Sequence, residues 1–247
     1  MDTGFDFRLK PCYDLLLMML TTVLLDAGGV ILDESEHERV RVAIAVEVLN
    51  TVIPGYTQAA FYSEINEAIE SFCPRILSYV FWKHLKPDRE RYDDLYALFQ
   101  ERWREARPAL KLMRGFGKEV EAMAGNFDIG IAGQYGKDML DLLETESLLR
   151  FFRYRFTQDD FAITKPDPRY LEQIAEACGV DPRQCIMVGD RVDNDVIPAK
   201  QVGMGTVLVR VGLHELQQPR TPFEIPDMEI TGITGLAAAV STVAGMR

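Results

Sequence analysis

The sequence is poor in the residues from which zinc sites and disulfide-rich folds are built. It has 3 histidines and 4 cysteines among 247 residues. The cysteines show no C-x-x-C spacing, and the histidines do not pair with them at zinc-site spacings. This pattern argues against a zinc site and a disulfide framework. We therefore expect free thiols in a reducing compartment, which favours the cytoplasm.

Positive charge and long apolar runs are also scarce. Lys and Arg number 27 against 38 Asp and Glu, a net charge of -11 that would repel nucleic acid. The apolar run from Leu15 to Leu25 follows Arg8 and Lys10 and so resembles a secretory signal, but it is too short to span a bilayer. We expect the second half of this apolar run to form a β-strand of the folded protein. We expect no membrane partner, and residues 1–18 are interpreted as an extension upstream of the fold.

Short apolar runs that predict buried strands alternate with stretches that predict helices. The predicted strands are 21–25, 128–132, 185–188 and 206–209. The predicted helices among them are 117–124, 136–149, 168–178 and 195–201. This alternation is typical of an α/β fold with a doubly wound, mainly parallel, Rossmann-like sheet.

Residues 35 to about 112 contain no strand-like run, and the stretch is long enough for four helices of average length. An aromatic residue recurs there at four- and three-residue spacing, which predicts one helix face packed inside a bundle: Tyr92, Tyr96, Phe99 and Trp103. We therefore predict an all-helical insert, or cap, over residues 35–112. The α/β core is predicted to comprise residues 1–34 and 113–247.

Polar residues that end parallel strands are the first candidates for a site, because ligands bind at the carboxyl ends of such strands. Asp26 ends the first predicted strand, and Gly28 and Gly29 leave room for a ligand near the backbone. A carboxylate there can act as a covalent nucleophile. The same Asp-x-Gly pattern also occurs in simple turns.

The segment from Val188 to Asp195 carries three aspartates, of which Asp190 ends the third predicted strand. Carboxylates at this spacing can converge on a hard cation, and Mg²⁺ prefers oxygen ligands. Helix capping is the alternative explanation for Asp193 or Asp195.

Two further places complete the candidates. Lys165 lies in a proline-flanked turn in which Asp167 and Pro168 start a helix, so it can neutralise a nucleophilic carboxylate and a phosphate. Gly133 and Gln134 follow the second predicted strand, where backbone amides can bind an oxyanion.

In this order, the four places resemble the four sequence motifs of the haloacid-dehalogenase-like superfamily of hydrolases. The resemblance implies that Asp26 is the nucleophile and Lys165 the charge-neutralising lysine. It implies a Mg²⁺ site formed by the side chains and the glycine carbonyl of Asp26, Gly28, Asp190, Asn194 and Asp195. Substrate binding would fall to Gly28, Gly29, Gly133 and Gln134, and the helical insert would be the cap that selects the substrate.

Two positions depart from the motifs. The family's phosphatases usually carry a second Asp two residues after the nucleophile, as general acid and base, and a Ser or Thr in the second motif; here the residues are Gly28 and Gly133. Among nearby acidic residues, Asp33 and Glu36 are the first candidates to replace the missing acid. If Gly28 is a lesion in a phosphatase, Gly28→Asp is expected to raise the turnover of alkyl phosphates.

Three functions stay open from the sequence. The first is Mg²⁺-dependent hydrolysis of a small phosphorylated metabolite through an aspartyl-phosphate intermediate. The second is dehalogenation or phosphonate cleavage by the same nucleophile, and the third is non-catalytic binding of a phosphorylated ligand or a protein. For the first function we expect a small-molecule substrate and no nucleic-acid partner. A homodimer is possible.

Overall fold

The computed structural model describes residues 19–246. The described chain forms six strands: β1 (Thr22–Leu25), β2 (Asp128–Ile131), β3 (Phe152–Tyr154), β4 (Cys185–Gly189), β5 (Gly205–Arg210) and β6 (Met228–Thr231). They make one sheet in the order β3-β2-β1-β4-β5-β6, and every neighbouring pair is parallel. The predicted doubly wound α/β fold is confirmed.

The four strands predicted from apolar runs are β1, β2, β4 and β5, and their observed bounds differ from the predicted ones by one residue at each end at most. The sequence prediction missed β3 and β6. Both are edge strands of three or four residues with exposed positions, such as Arg153 and Glu229. Their sequences lack a continuous apolar run, because an edge strand is buried less completely than a central one.

Helices cover both faces of the sheet. They are α5 (Phe116–Ala124), α6 (Lys137–Thr145), α7 (Pro168–Cys178), α8 (Ile197–Gln201) and α9 (Leu236–Gly245). Side chains alternate along β1, so that Val23 and Leu25 pack with α5, α6 and α9, while Leu24 packs with α7 and α8. Such alternation buries every residue of β1.

The segment between β1 and β2 begins with four consecutive helices, as the sequence predicts. They are α1 (Ser35–Asn50), α2 (Gln58–Glu70), α3 (Ile76–Leu85) and α4 (Arg89–Ala106), and they share a hydrophobic cluster of their own. The aromatic face of α4 packs into it, with Tyr92 and Tyr96 stacked at 5.5 Å between ring centroids. The residue bounds of the core and the helical insert stay a prediction.

Among residues 19–246, no helix is both long enough and apolar enough to cross a membrane. The second half of the apolar segment at Leu15–Leu25 forms β1, as expected. Residues 1–18, which we interpreted as an upstream extension, lie outside the described residues.

The winding of the sheet determines where a ligand can approach the strand ends. From β1 the chain adds β2 and then β3 on one side, and it continues with β4, β5 and β6 on the other side. The order therefore reverses between β1 and β4. In open parallel sheets the carboxyl ends of the strands at such a switch point border the ligand crevice.

Candidate active site

Asp26 and Asp190 lie side by side at the switch point, because each follows one of the two central strands. The N–H of Asp26 donates to the carbonyl oxygen of Val188 at 2.8 Å, which continues the pairing of β1 with β4. Both carboxylates are almost completely buried, with 8% of Asp26 and 9% of Asp190 exposed.

Asp195 reaches the same place from a five-residue π-helical turn, Val192–Val196, that precedes α8. One of its oxygens, Oδ2, accepts the backbone N–H of Arg191 at 3.1 Å. The other oxygen, Oδ1, accepts from the Lys165 ammonium at 2.5 Å. One oxygen of Asp195 is therefore bound to the backbone at the start of the turn, and the other belongs to the polar cluster.

Asp26, Asp190 and Asp195 form a carboxylate cluster in which one oxygen from each lies within 4.8 Å of the others. Asp193 does not join it. Its carboxylate pairs with the Arg191 guanidinium at 2.7 Å and accepts from the Gln217 amide at 3.0 Å. Asn194, which we predicted as a metal ligand, lines the cavity beside the cluster.

Lys165 joins two members of the carboxylate cluster. Its Nζ donates to Oδ1 of Asp26 at 2.7 Å and to Oδ1 of Asp195 at 2.5 Å, and only 1% of its side chain is exposed. The turn before α7 holds it in place, with Asp167 as the N-cap and Pro168 in the first turn of the helix, as predicted. The structure thus brings Lys165 and Asp26 into contact, and the catalytic roles of both residues stay predictions.

Burial and mutual repulsion shape the electrostatics of the cluster. Burial raises the pKa of Asp190 well above its usual range, and the charges of Asp195 and Asp26 raise it further. Burial also raises the pKa of Asp195 to about 6, against the opposing effect of Lys165. For Lys165, burial alone lowers the pKa, but Asp195 and Asp26 raise it by more, so the ammonium stays charged.

The glycines after β1 let these groups approach the backbone. Gly29 has a φ of 69°, and a Cβ there would lie 2.8 Å from Oδ2 of Asp190. Gly28 lines the cavity that holds Asp26, Asp190 and Lys165, which we call the main cavity for these residues and not for its size. The φ of Gly28 is not in the left-handed region. The close approach of the Asp190 side chain explains why position 29 is a glycine.

The two residues of the second predicted motif differ in position: Gln134 lines the main cavity beside Asp26, whereas Gly133 does not line it. Gly133 is packed against the turn after β1, where a Cβ would collide with the backbone and Cβ of Ala27. The roles of Gly133 and Gln134 in substrate binding stay predictions.

The main cavity has a volume of about 280 Å³ and is lined by Asp26 and Asp190 of the cluster, by Lys165 and by residues from the start of α1. Among the latter is Glu34, which the sequence analysis did not single out. The two acidic residues that it did name lie elsewhere. Asp33 accepts the N–H of Ser35 at the start of α1, and Glu36 pairs with the Lys111 ammonium at 2.5 Å on the surface.

Comparison with known proteins yields one family model and several relatives. The model, described as HAD-hydrolase-like, matches residues 162–233, which include Lys165 and the aspartates after β4. A glyceraldehyde 3-phosphate phosphatase from Methanopyrus kandleri is 27% identical over 56% of this chain and 56% of its own length. A phosphoglycolate phosphatase from Mesorhizobium japonicum is 32% identical over 51% of this chain and 56% of its own length. The alignments thus span about half the length of these curated relatives.

Among solved structures, the HAD-hydrolase YfnB from Bacillus subtilis, bound to magnesium, is similar with a TM-score of 0.62 at 19% identity. The similarity covers 89% of this chain and 98% of that one. At this identity the likeness concerns the fold, and it extends over the sheet and the helical insert alike. The family model and the motif residues assembled at the sheet switch point thus agree with the resemblance of this chain to the haloacid-dehalogenase-like superfamily.

Proposed function

We propose that the protein is a Mg²⁺-dependent hydrolase that cleaves a small phosphate monoester through a covalent intermediate on Asp26. The observation that carries this proposal is the contact between Lys165 and both Asp26 and Asp195, beside Asp190. A buried cation that touches the candidate nucleophile and a second carboxylate of the cluster fits phosphoryl transfer, in which negative charge must be neutralised.

The residues present fit a divalent cation. When ionised, the three carboxylates of the cluster carry three negative charges, and Lys165 supplies one positive charge, so two negative charges are left without a partner. Oxygen ligands of this kind suit Mg²⁺, which retains waters and a substrate oxygen. Asp26, Asp190 and Asp195 would hold it, with Asn194 and the Gly28 carbonyl as further candidates. When bound, the cation would supply positive charge opposite the phosphate oxygens.

The chain's own groups suggest the order of events. Lys165 bonds one oxygen of Asp26 and so orients the carboxylate, which leaves Oδ2 as the attacking atom. Oδ2 forms a bond to phosphorus while the bond from phosphorus to the leaving oxygen breaks. Water then attacks the phosphorus of the aspartyl phosphate, which releases inorganic phosphate and regenerates Asp26.

The relatives narrow the proposed substrate to a class. The two curated relatives are named as phosphatases of glyceraldehyde 3-phosphate and phosphoglycolate, which are both small phosphorylated metabolites. A main cavity of about 280 Å³ fits a compound of that size. The free thiols at Cys73, Cys178 and Cys185 support a reducing compartment such as the cytoplasm.

A screen of small phosphate monoesters with and without Mg²⁺ tests the proposal, with Asp26→Asn as the matched variant. The wild type should release phosphate only with Mg²⁺. Asp26→Asn should lose at least about three orders of magnitude in turnover while keeping its melting transition, because the amide keeps the shape but is a poor nucleophile. Halide release without metal from a haloacid would favour the dehalogenase alternative. Asp26→Asn activity within about tenfold of wild type would exclude Asp26 as the nucleophile.

A further inference from the structure

The space beside Gly28 is occupied by a carboxylate that comes from elsewhere in the chain. A Cβ placed on Gly28 would collide with Oε2 of Glu34 and would lie 3.0 Å from its Cδ. The φ of Gly28 is not positive, so its backbone would accept a side chain. What fills the position is the carboxyl group of Glu34.

Glu34 is held in this position by the second motif. It immediately precedes α1, where the chain leaves the core for the helical insert. The Tyr135 hydroxyl, which follows β2, donates a hydrogen bond to Oε1 of Glu34. Oε1 accepts the Tyr135 hydrogen bond, and Oε2 is the oxygen that lies nearer to the space beside Gly28. Glu34 lines the same cavity as Asp26, Lys165 and Asp190.

We propose that Glu34 is the general acid and base of the reaction, in place of the aspartate missing at position 28. This inference rests on the proposed function. As Oδ2 of Asp26 attacks phosphorus, the protonated Glu34 gives its proton to the leaving oxygen, which departs as an alcohol. The Glu34 carboxylate then takes a proton from the water whose oxygen attacks the aspartyl phosphate. Phosphate leaves, Asp26 is free again, and Glu34 is protonated for the next cycle.

A general acid at Glu34 predicts that the rate depends on the leaving group, whereas a purely structural role of Glu34 would not produce such a dependence. An alkoxide needs a proton as it leaves, whereas a nitrophenolate needs little help. Glu34→Gln can still accept the Tyr135 hydrogen bond but cannot give or take the proton. It should lower kcat/KM, which reports the step in which the leaving oxygen departs, by roughly two to four orders of magnitude for an alkyl phosphate and by less than about tenfold for 4-nitrophenyl phosphate. Hydrolysis of the aspartyl phosphate is common to both esters, so kcat should fall for both.

Two further variants make the test specific. Glu36→Gln changes a neighbouring glutamate that pairs with Lys111 on the surface, and it should leave both rates unchanged. Gly28→Asp combined with Glu34→Ala moves the carboxylate back to position 28, and it should recover alkyl phosphate turnover relative to Glu34→Ala alone. Gly28→Asp alone should bring no gain, because it places two carboxylates in one space.

Two failures can be told apart. If the wild type hydrolyses no phosphate ester, the proposed function fails and the role of Glu34 with it. If the wild type is active but Glu34→Gln lowers kcat/KM for both esters equally, or for neither, Glu34 is not the general acid, and the proposed role of Asp26 is unaffected. Melting transitions of all variants are measured first, so that a folding defect is not mistaken for a catalytic one.

A second inference rests on another cavity, of about 350 Å³, that shares the side chains of Arg41, Gln134 and Tyr135 with the main cavity. Arg41 lies on α1 one turn after His37, and both residues line this second cavity. The Arg41 guanidinium carbon lies 4.7 Å from the centroid of the Trp103 ring. Arg41 is thus held at the junction between the two cavities.

The charges around the second cavity point to an anionic ligand. Arg107 is paired with Asp138 at 3.1 Å. Among residues 19–246, no carboxylate lies within 4.0 Å of the Arg41 guanidinium, although the chain carries a net charge of -11. Glu38 on the same helix interacts electrostatically with Arg41, but from beyond this distance. An arginine held against an indole ring in this way is suited to bind a carboxylate or phosphate.

We infer that Arg41 binds a second anionic group of the substrate at the junction of the two cavities. The test, which presupposes the proposed function, compares three-carbon phosphate monoesters that differ only in the distal group: a hydroxymethyl, a carboxylate or a second phosphate. The anionic member that fits should exceed the neutral one by about 10- to 100-fold in kcat/KM. The preferred member identifies the group as carboxylate or phosphate.

Arg41→Gln should abolish this preference while the neutral substrate is still cleaved, and Arg41→Lys should retain part of it. Arg39→Gln, on the same helix and exposed beside Glu36, is the control and should leave the preference intact. Equal kcat/KM values for the three esters in the wild type, or an equal loss for all three in Arg41→Gln, would overturn the assignment of Arg41. Turnover of the neutral ester would show that the proposed function survives that result.

Discussion

Lys165 bridges two buried carboxylates that would otherwise repel each other. Its ammonium bonds Asp26 and Asp195 at 2.7 and 2.5 Å, and its side chain is 1% exposed. Removal of one partner from a buried ion pair is costly, because the remaining charge is left without compensation. The stability of the native state and the proposed chemistry therefore depend on the same cation.

Lys165→Met is accordingly expected to lower the free energy of unfolding by at least about 2 kcal/mol and to abolish phosphate release. Urea unfolding without Mg²⁺ measures the first effect, and a phosphate assay with Mg²⁺ the second. The matched control, Lys111→Met, removes an exposed lysine paired with Glu36 and should change neither. A Lys165→Met protein as stable as the wild type would contradict the buried ion pairing.

At the residue scale, the sequence indicated groups at the strand ends that the structure brings together, but it did not indicate Glu34. The catalytic roles of these residues stay predictions. Asp26, Asp190 and Lys165 follow apolar runs or proline-flanked turns that predict where they lie. Glu34 follows no such pattern, and Asp33 and Glu36 appeared equally suitable. Only the path of the chain from Gly28 into α1, together with the Tyr135 hydrogen bond, distinguishes Glu34 from its neighbours.

At the scale of the elements, the end of β2 is packed more tightly against the end of β1 than the motif suggests. A Cβ at Gly133 would lie 3.0 Å from the Cα of Ala27 and closer still to its backbone nitrogen. The backbone of Ala27 cannot move easily, because the turn hydrogen bonds of Ile31 and Leu32 both end on its carbonyl oxygen. A hydroxyl residue at position 133 therefore lacks room in this chain.

Gly133→Ser is thus expected to destabilise the protein by about 1 to 3 kcal/mol instead of restoring the family's hydroxyl group. Gly125→Ser is a matched control after α5, where an added Cβ meets no atom within 4 Å and φ is -73°. It should change stability by less than about 0.5 kcal/mol. Chemical denaturation of both variants gives the comparison, and equal stabilities would show that the contact at Ala27 relaxes freely.

The elements that could be predicted are those whose burial leaves a clear pattern in the sequence. The central strands appear as continuous apolar runs, and α7 has a start signal in the N-cap Asp167 followed by Pro168. The edge strands β3 and β6, and the π-helical turn at Val192–Val196, have no such pattern, because tertiary contacts rather than local preference stabilise them. The π-helical turn is also the element that brings Asp195 to Lys165.

At the scale of the whole molecule, the helical insert and the α/β core meet around the main cavity. Glu38 on α1 accepts the N–H of Leu213 at 3.3 Å, and Gln217 donates to the carbonyl of Ile69 on α2 at 3.4 Å. Gln217 also bonds Asp193, beside the carboxylate cluster. Ligands bound to the cluster are therefore expected to stabilise the molecule as a whole and not one strand end alone.

Mg²⁺ provides the measurement of that coupling, because a ligand that binds only the native state raises its stability by mass action. At a concentration about 100 times its Kd, the gain is about 2.7 kcal/mol, and each kcal/mol raises the melting temperature of a chain of this size by roughly 2–4 °C. Scanning calorimetry with and without Mg²⁺, at matched ionic strength, should therefore show an increase of roughly 5–11 °C.

Two aspartate variants locate the binding site. Asp190→Asn removes one charge from the cluster, so the Mg²⁺-dependent rise should fall to less than about half, while the protein without Mg²⁺ should melt no lower than the wild type because repulsion within the cluster is reduced. Asp193→Asn should lower the melting temperature, since Arg191 loses its partner, but should keep the full Mg²⁺-dependent rise. If both variants lose the rise equally, the cation is not held by the cluster of Asp26, Asp190 and Asp195, and the Mg²⁺-dependent mechanism must be assigned to another set of ligands.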